Sequence, residues 1–288
     1  MNLRHNITRL AKQAGGSKKT VHDRIAIMER FFQYLRQSNI QTRSVEHLKG
    51  RHIVGYVHSR LAADISKRTV QNEMSAIRCV LEQAGRIKLA DSEQLSNRTL
   101  GIGGASREGT RTAISDEQYK QVLHTAQEKD AGLAAAIRLA RVLGLRGEEA
   151  VQSAQSLQTW KKELEQGKTH LTVVFGTKGG RPRQSRILNQ PEVQQAVHNA
   201  LTIANDRNGR LIDKPNLKEA MSYWRHQTTV LGLKGQISPH SLRYAWAQDA
   251  VRYYLEQGFS EKEALALTSM DLGHGDGRGR YVKRVYGL

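Results

Sequence analysis

Residues 89–112, LADSEQLSNRTLGIGGASREGTRT, carry no hydrophobic period. Gly, Ser, Thr and Arg dominate them, and blocks of helical periodicity lie on both sides. A chain interrupted in this way builds two cores rather than one, with the interruption as a linker. Its 288 residues suffice for two cores. The expected division is a first domain over 1–88, a basic linker over 89–112 and a second domain over 113–288.

The first block reads as helices throughout. In KKTVHDRIAIMERFFQYLRQ the apolar positions Val21, Ile25, Met28, Phe32 and Leu35 step by four and three, the period of an amphipathic helix. Ser17 stands where it caps that helix. Val45, Leu48, Ile53, Val57 and Leu61 mark a second helical pattern, and Val70, Met74, Ile77 and Leu81 a third after Ser66. With MNLRHNITRLAKQ these make a four-helix bundle. Cys79 sits among Ile77, Val80 and Leu81 and reads as a core thiol. As the only cysteine, it excludes an intrachain disulfide and a multi-cysteine zinc site.

In the second block, Ser115-Asp116-Glu117-Gln118 is a capping-box pattern ahead of a helix. An Ala/Leu-rich helix over 133–143 ends at Gly144, and helix resumes through GEEAVQSAQSLQTWKKELEQG. THLTVVFG alternates and is β-branched, and SRIL follows the Gly-rich TKGGRPRQ, which predicts a β-hairpin. Helices are expected at about 191–205, 215–231, 240–257 and 260–271. The fold class is therefore mainly α with a small antiparallel β-sheet.

Lys and Arg number 45 against 27 Asp and Glu, a formal net charge of +18. Such an excess points to a polyanion, and nucleic acid is the first candidate. No apolar run approaches the ~20 residues of a spanning helix, so a membrane role is not expected. MNLRHNITRLAKQ lacks the apolar core of a secretory signal, and a cytoplasmic, nucleoid-associated protein is the expectation. Lys18, Lys19, Arg24, Arg51, Lys67 and Arg68 in the bundle, Arg107 and Arg111 in the linker, and Arg181 and Arg183 on the hairpin are the candidate phosphate contacts.

The chemistry-bearing residues lie in the second block. Arg146 follows Gly144-Leu145 at a break between helices, with Glu149 one turn on to orient it. Lys178 stands at the hairpin tip. His240 and Arg243, in Pro-His-Ser-Leu-Arg, are three apart and share one helix face. His274 follows in LGHGDGRG, and Tyr281 and Tyr286 follow it. No carboxylate or thiol stands at ligand spacing from the two histidines, so neither a metal nor another cofactor is expected.

Taken in order, these motifs resemble the tyrosine recombinase (phage integrase) family. The resemblance implies a helical core-binding bundle followed by an α+β catalytic domain, the two closing as a clamp on duplex DNA. It implies Arg146 and Arg243 as the phosphate-binding pair, Lys178 as general acid, His240 as proton acceptor and His274 as a ligand of a nonbridging oxygen. The family's nucleophilic tyrosine usually falls about nine residues after the second histidine, where this chain has Lys283. Tyr281 is seven residues on (281 − 274) and Tyr286 twelve (286 − 274). The GDGRGR run reads as an enlarged turn, which favours Tyr286, with Tyr281 as the alternative. The implied activity is site-specific recombination through a 3′-phosphotyrosyl intermediate and a Holliday junction, serving integration or excision of mobile DNA. The implied partners are recombination sites bound by a homotetramer, one dimer per site, and accessory DNA-bending proteins. A type IB topoisomerase-like enzyme and a non-catalytic DNA-binding accessory protein are the alternatives. Gly275, Gly277 and Gly279 also admit a swapped terminal segment.

Overall fold

A computed structural model of the chain describes residues 3–106 and 108–288. It is mostly helical with one two-stranded sheet, as the periodicities require. The chain divides into two compact units, Met1–Ser106 and Arg107–Leu288.

The first unit contains α1 (Leu3–Gln13), α2 (Lys18–Gln37), α3 (Gly50–Ala62), α4 (Lys67–Gln83) and the single turn α5 (Ile87–Ala90). Ser17 and Ser66 cap α2 and α4 by accepting from the backbone N–H of Thr20 and Thr69, at 3.1 and 3.3 Å. Met28, Phe31 and Leu35 are the buried face of α2. The sequence pattern selects Phe32, but Phe31 is the fully buried ring and Phe32 only borders the core. Phe31 packs edge-on against Tyr56, with centroids 5.2 Å apart, and that pairing sets the rotation of the helix. Buried Glu73 accepts from Arg60 at 2.9 and 2.8 Å and from the Tyr56 hydroxyl at 2.9 Å.

Part of the stretch expected as linker lies in this unit. Leu95, Leu100 and Ile102 are buried in the bundle core, and the Arg78 guanidinium donates to the Leu95 carbonyl at 2.5 Å. Three apolar side chains without a period suffice to anchor an irregular segment, and a search for periodicity passes over them.

In the second unit α6 (Asp116–Lys129) starts at the Ser115/Gln118 capping box. The Ala/Leu-rich α7 (Ala131–Val142) is central and packs on α6, on α8 (Gly147–Gln152), on α10 (Gln190–Asp206) and on α12 (His240–Glu256). A 3-10 turn joins α8 to α9 (Leu157–Glu165), which leads into β1 (His170–Val173) and β2 (Arg183–Arg186). α11 (Leu217–Val230), α13 (Glu261–Asp271) and α14 (Gly279–Tyr286) complete the unit. A separate apolar cluster of Tyr244, Trp246, Val251, Tyr254, Leu265, Leu272, Val282 and Tyr286 joins α12, α13 and α14. The terminal helix thus lies on its own chain's core.

Gly144 ends α7 with φ +56, and a Cβ there would lie 2.6 Å from the Trp246 ring. Only glycine meets both demands. Gly144→Ala should therefore destabilise the protein by more than the ~1–2 kcal/mol of a left-handed L-residue, since the buried indole must also move. Guanidinium denaturation followed by tryptophan fluorescence measures it, and an unchanged midpoint would contradict this packing.

Candidate active site

Glu149 is the centre of the site. It lies in the first turn of α8, its side chain has no exposed area, and three guanidinium groups surround it. Arg146, the residue preceding α8, donates from Nη1 to Glu149 Oε1 at 2.5 Å, and its backbone N–H donates to Oε2 at 2.8 Å. Arg183 on β2 donates from Nε and Nη2 at 3.3 and 2.8 Å. Arg243 on α12 stands 3.9 Å from Oε2. Burial alone would raise the carboxyl pKa; the arginines, Arg183 foremost, outweigh it and hold it at about 2.

Two backbone carbonyls finish the frame. The Gly144 carbonyl accepts from Arg183 and Arg243, and the Leu272 carbonyl accepts from Arg146 and Arg243. These carbonyls lie just beyond α7 and α13, whose packing therefore aims the arginines. Arg183 also donates to the Asp271 carbonyl at 2.6 Å. It commits four of its five N–H groups, whereas Arg243 commits three and Arg146 two side-chain N–H groups. Arg146 keeps 21% side-chain exposure. Among the described residues, uncommitted side-chain N–H groups therefore number three on Arg146, two on Arg243 and one on Arg183, and of the three residues Arg146 has the most exposed side chain while Arg243 is fully buried against Tyr286.

Arg183 is a correction to the expected phosphate contacts. It is 6% exposed and structural. In the register Val173 pairs with Arg183 and Leu171 with Ser185, so all four side chains share one sheet face, the buried one. That alternation was present in the sequence and outranks the apparent cluster of surface cations.

Tyr286 ends α14 at 2% exposure, inside this frame. Its hydroxyl accepts from Arg243 Nε at 3.3 Å and is 3.0 Å from His274 Nε2. The His240 ring stands 6.4 Å from the Tyr286 ring and 5.5 Å from that of Tyr244. His274, rather than His240, is thus the imidazole in contact with the phenol. Tyr281 is 39% exposed and meets His274 edge-on at 5.1 Å. Lys178 is exposed at the hairpin tip and makes no hydrogen bond or ion pair among the described residues.

Burial, then the neighbouring Arg243 and Arg146, hold His240 down to about 4 and His274 down to about 3. Burial also lowers Arg243 to about 10, which leaves it charged at neutral pH. The site is then three cations and one anion, 3 − 1 = +2, beside two neutral imidazoles. Among the described residues no group of three or more His, Cys, Asp or Glu could hold a metal ion.

The other candidate contacts separate by environment. Lys18, Lys19, Arg51, Lys67, Arg68, Arg111 and Arg181 are exposed. Lys19 pairs with Asp23 at 2.7 Å, and Arg111 donates to the Gly235 carbonyl. Arg24 is half-buried and donates to the Ala11 and Gly15 carbonyls at 2.8 and 3.0 Å, closing the C-terminal end of α1. Its guanidinium is thus a helix cap rather than a free phosphate contact. Arg107 lies outside the described residues.

The lowered imidazoles give stability a direction with pH. Below the unfolded value of 6.5 the unfolded chain binds two protons at these histidines that the native site refuses. Asp271, raised by burial to about 6, takes up one proton in the native state and offsets part of this. The net is proton uptake on unfolding, so stability should fall as pH drops from 6.5 towards 4. Unfolding midpoints measured across that range test it, and a rise towards pH 4 would contradict the site's electrostatics.

A family model described as "Integrase" matches residues 101–249, and one described as "Phage integrase, N-terminal" matches residues 1–90. No curated protein matches the chain. Among solved structures, one of a lambda integrase tetramer bound to a Holliday junction superposes with TM-score 0.62 at 18% identity, covering 100% of this chain and 79% of that one. The Tn1549 transposon integrase in complex with transposon right end DNA gives TM-score 0.63 at 14% identity, with 99% and 95% covered. Lambda integrase (residues 75–356) bound to DNA gives 0.56 at 17%, with 94% and 91% covered. At these identities the structures establish the fold, and the model over 101–249, more than half the chain, establishes the family. The chain belongs to the phage integrase family, the tyrosine recombinases.

Proposed function

We propose that this protein is a site-specific DNA recombinase in which Tyr286 is the nucleophile, Arg146 and Arg243 hold the scissile phosphate, and Lys178 protonates the leaving oxygen. The observation that carries this reading is the Tyr286 hydroxyl lying between Arg243 Nε and His274 Nε2. A phosphodiester drawn to the partly exposed Arg146 guanidinium arrives beside that hydroxyl, with Arg243 behind it. The cluster's charge of +2 exceeds the ground-state phosphate's single charge and matches the two of a pentacoordinate phosphorane. That difference favours the transition state over bound substrate.

The steps balance without an external reagent. The Tyr286 oxygen forms a bond to phosphorus and the bond to the 5′ oxygen breaks. The phenolic proton passes to an imidazole, His274 by its position here, with His240 beside the phosphate. A neutral imidazole is the form that accepts it. Lys178 delivers a proton to the 5′ oxygen. A 5′ hydroxyl from a partner strand then attacks the 3′-phosphotyrosyl bond, and the protons move back. Phosphodiester is exchanged for phosphodiester, so the covalent intermediate conserves the bond energy. Two such exchanges through a Holliday junction recombine two sites, with four protomers, a dimer on each site. Accessory DNA-bending proteins are compatible with this scheme.

The test begins with the DNA. Duplexes captured covalently from a random-sequence library and sequenced define the core site. On a nicked suicide duplex of that site, wild type should yield an adduct whose labelled peptide contains Tyr286. Tyr286→Phe should bind DNA and give no adduct, whereas Tyr281→Phe should keep it. Arg146→Ala should bind and cleave about 10²–10³-fold more slowly. An adduct retained by Tyr286→Phe and lost from Tyr281→Phe would reverse the assignment.

A further inference from the structure

Between β1 and β2 the hairpin runs through Val174, Phe175, Gly176, Thr177, Lys178 and two more glycines to Arg181-Pro182. Gly179 and Gly180 also have positive φ, and a Cβ on either would meet nothing within 4 Å. Gly176 differs. Its φ is +74, and a Cβ there would stand 2.5 Å from the carbonyl carbon and oxygen of Glu148 and 2.6 Å from the nitrogen of Glu149. Those atoms form one peptide unit in the first turn of α8, the helix that Arg146 begins. Backbone cannot yield as a flexible side-chain end would. The hairpin therefore rests on α8 only because residue 176 has no side chain.

We propose that Gly176 is a positioning residue that fixes the lysine hairpin to the peptide joining Glu148 and Glu149. Lys178 follows two residues later, a reach of about 7 Å of chain at most. The open glycines beyond it leave the tip free to follow DNA while its base stays registered to the phosphate-binding arginines. The Thr177 hydroxyl, donating to the Val174 carbonyl at 3.1 Å, stiffens the turn between base and tip. Acid catalysis needs this registration, because a misplacement of ~1 Å can cost about 10²-fold. The inference rests on the reading of Lys178 as the general acid.

The experiment compares two forms of the selected suicide duplex, one with the ordinary 5′ oxygen at the scissile bond and one with a bridging 5′ sulfur. A thiol is far more acidic than an alcohol, so the sulfur leaves as thiolate without a donated proton. Lys178→Ala and Gly176→Ala should both lose cleavage of the oxygen duplex, the latter by about 10²-fold, and both should recover on the sulfur duplex with binding unchanged. Recovery by Lys178→Ala without recovery by Gly176→Ala would overturn the positioning role. Wild-type cleavage of the oxygen duplex by Gly176→Ala would overturn it too. If Lys178→Ala itself stays slow on sulfur, the lysine is not the acid, and the inference falls with that reading. Should Gly176→Ala not fold, Thr177→Lys combined with Lys178→Thr keeps the glycine contact and moves the amine by one residue. This variant should lose the oxygen reaction and keep the sulfur reaction; full activity on oxygen would show that the hairpin does not register the lysine.

Discussion

One buried carboxylate, Glu149, tied to Arg146 and Arg183 and faced by Arg243, is the constraint on which the second unit depends. Three guanidinium groups would repel one another if drawn together alone, and a lone carboxylate would not ionise where Glu149 lies. Each arrangement is stable only with the other, and stripping one partner from such a buried set typically costs about 3–5 kcal/mol. The set also explains the fold's geometry. Its members come from α8, β2 and α12, and the carbonyls that share their protons terminate α7 and α13. Elements far apart in sequence must meet at one place.

The same electrostatics divides labour among the arginines. Arg183 commits four of its N–H groups to protein and holds Glu149, while Arg146 and Arg243 commit fewer, which is why the proposed phosphate site is assigned to them. Burial first, and the arginines of the frame second, favour the neutral forms of His240 and His274. The Tyr286 hydroxyl accepts from Arg243 and so is tied to the same frame.

Much of this is legible in the sequence, for physical reasons. Helical periodicity gives the bundle and most helices of the second unit, because burial on one face leaves a period. Arg146, His240, Arg243 and His274 are legible as motifs at short, fixed spacings. Phe31 and Phe32 could not be separated by period, since Met28, Leu35 and either ring make steps of three and four, and a cross-helix ring contact decides. Arg183 was assigned to the surface by counting neighbouring cations, although strand alternation with Leu171 and Val173 places it inward. Leu95, Leu100 and Ile102 anchor an aperiodic segment. The contact between Gly176 and α8 joins residues remote in sequence, and no local pattern encodes it.

The central claim is that Glu149 organises the phosphate site rather than merely filling the core. Glu149→Gln keeps size and removes the charge, leaving three buried guanidinium groups without their anion. Unfolding free energy and cleavage of the selected suicide duplex, measured on the same preparation, test it directly. The account predicts a loss of about 3–5 kcal/mol in stability and cleavage slowed by at least about 10²-fold, with DNA affinity retained because the net charge rises by one. An unchanged unfolding midpoint together with wild-type cleavage would contradict it.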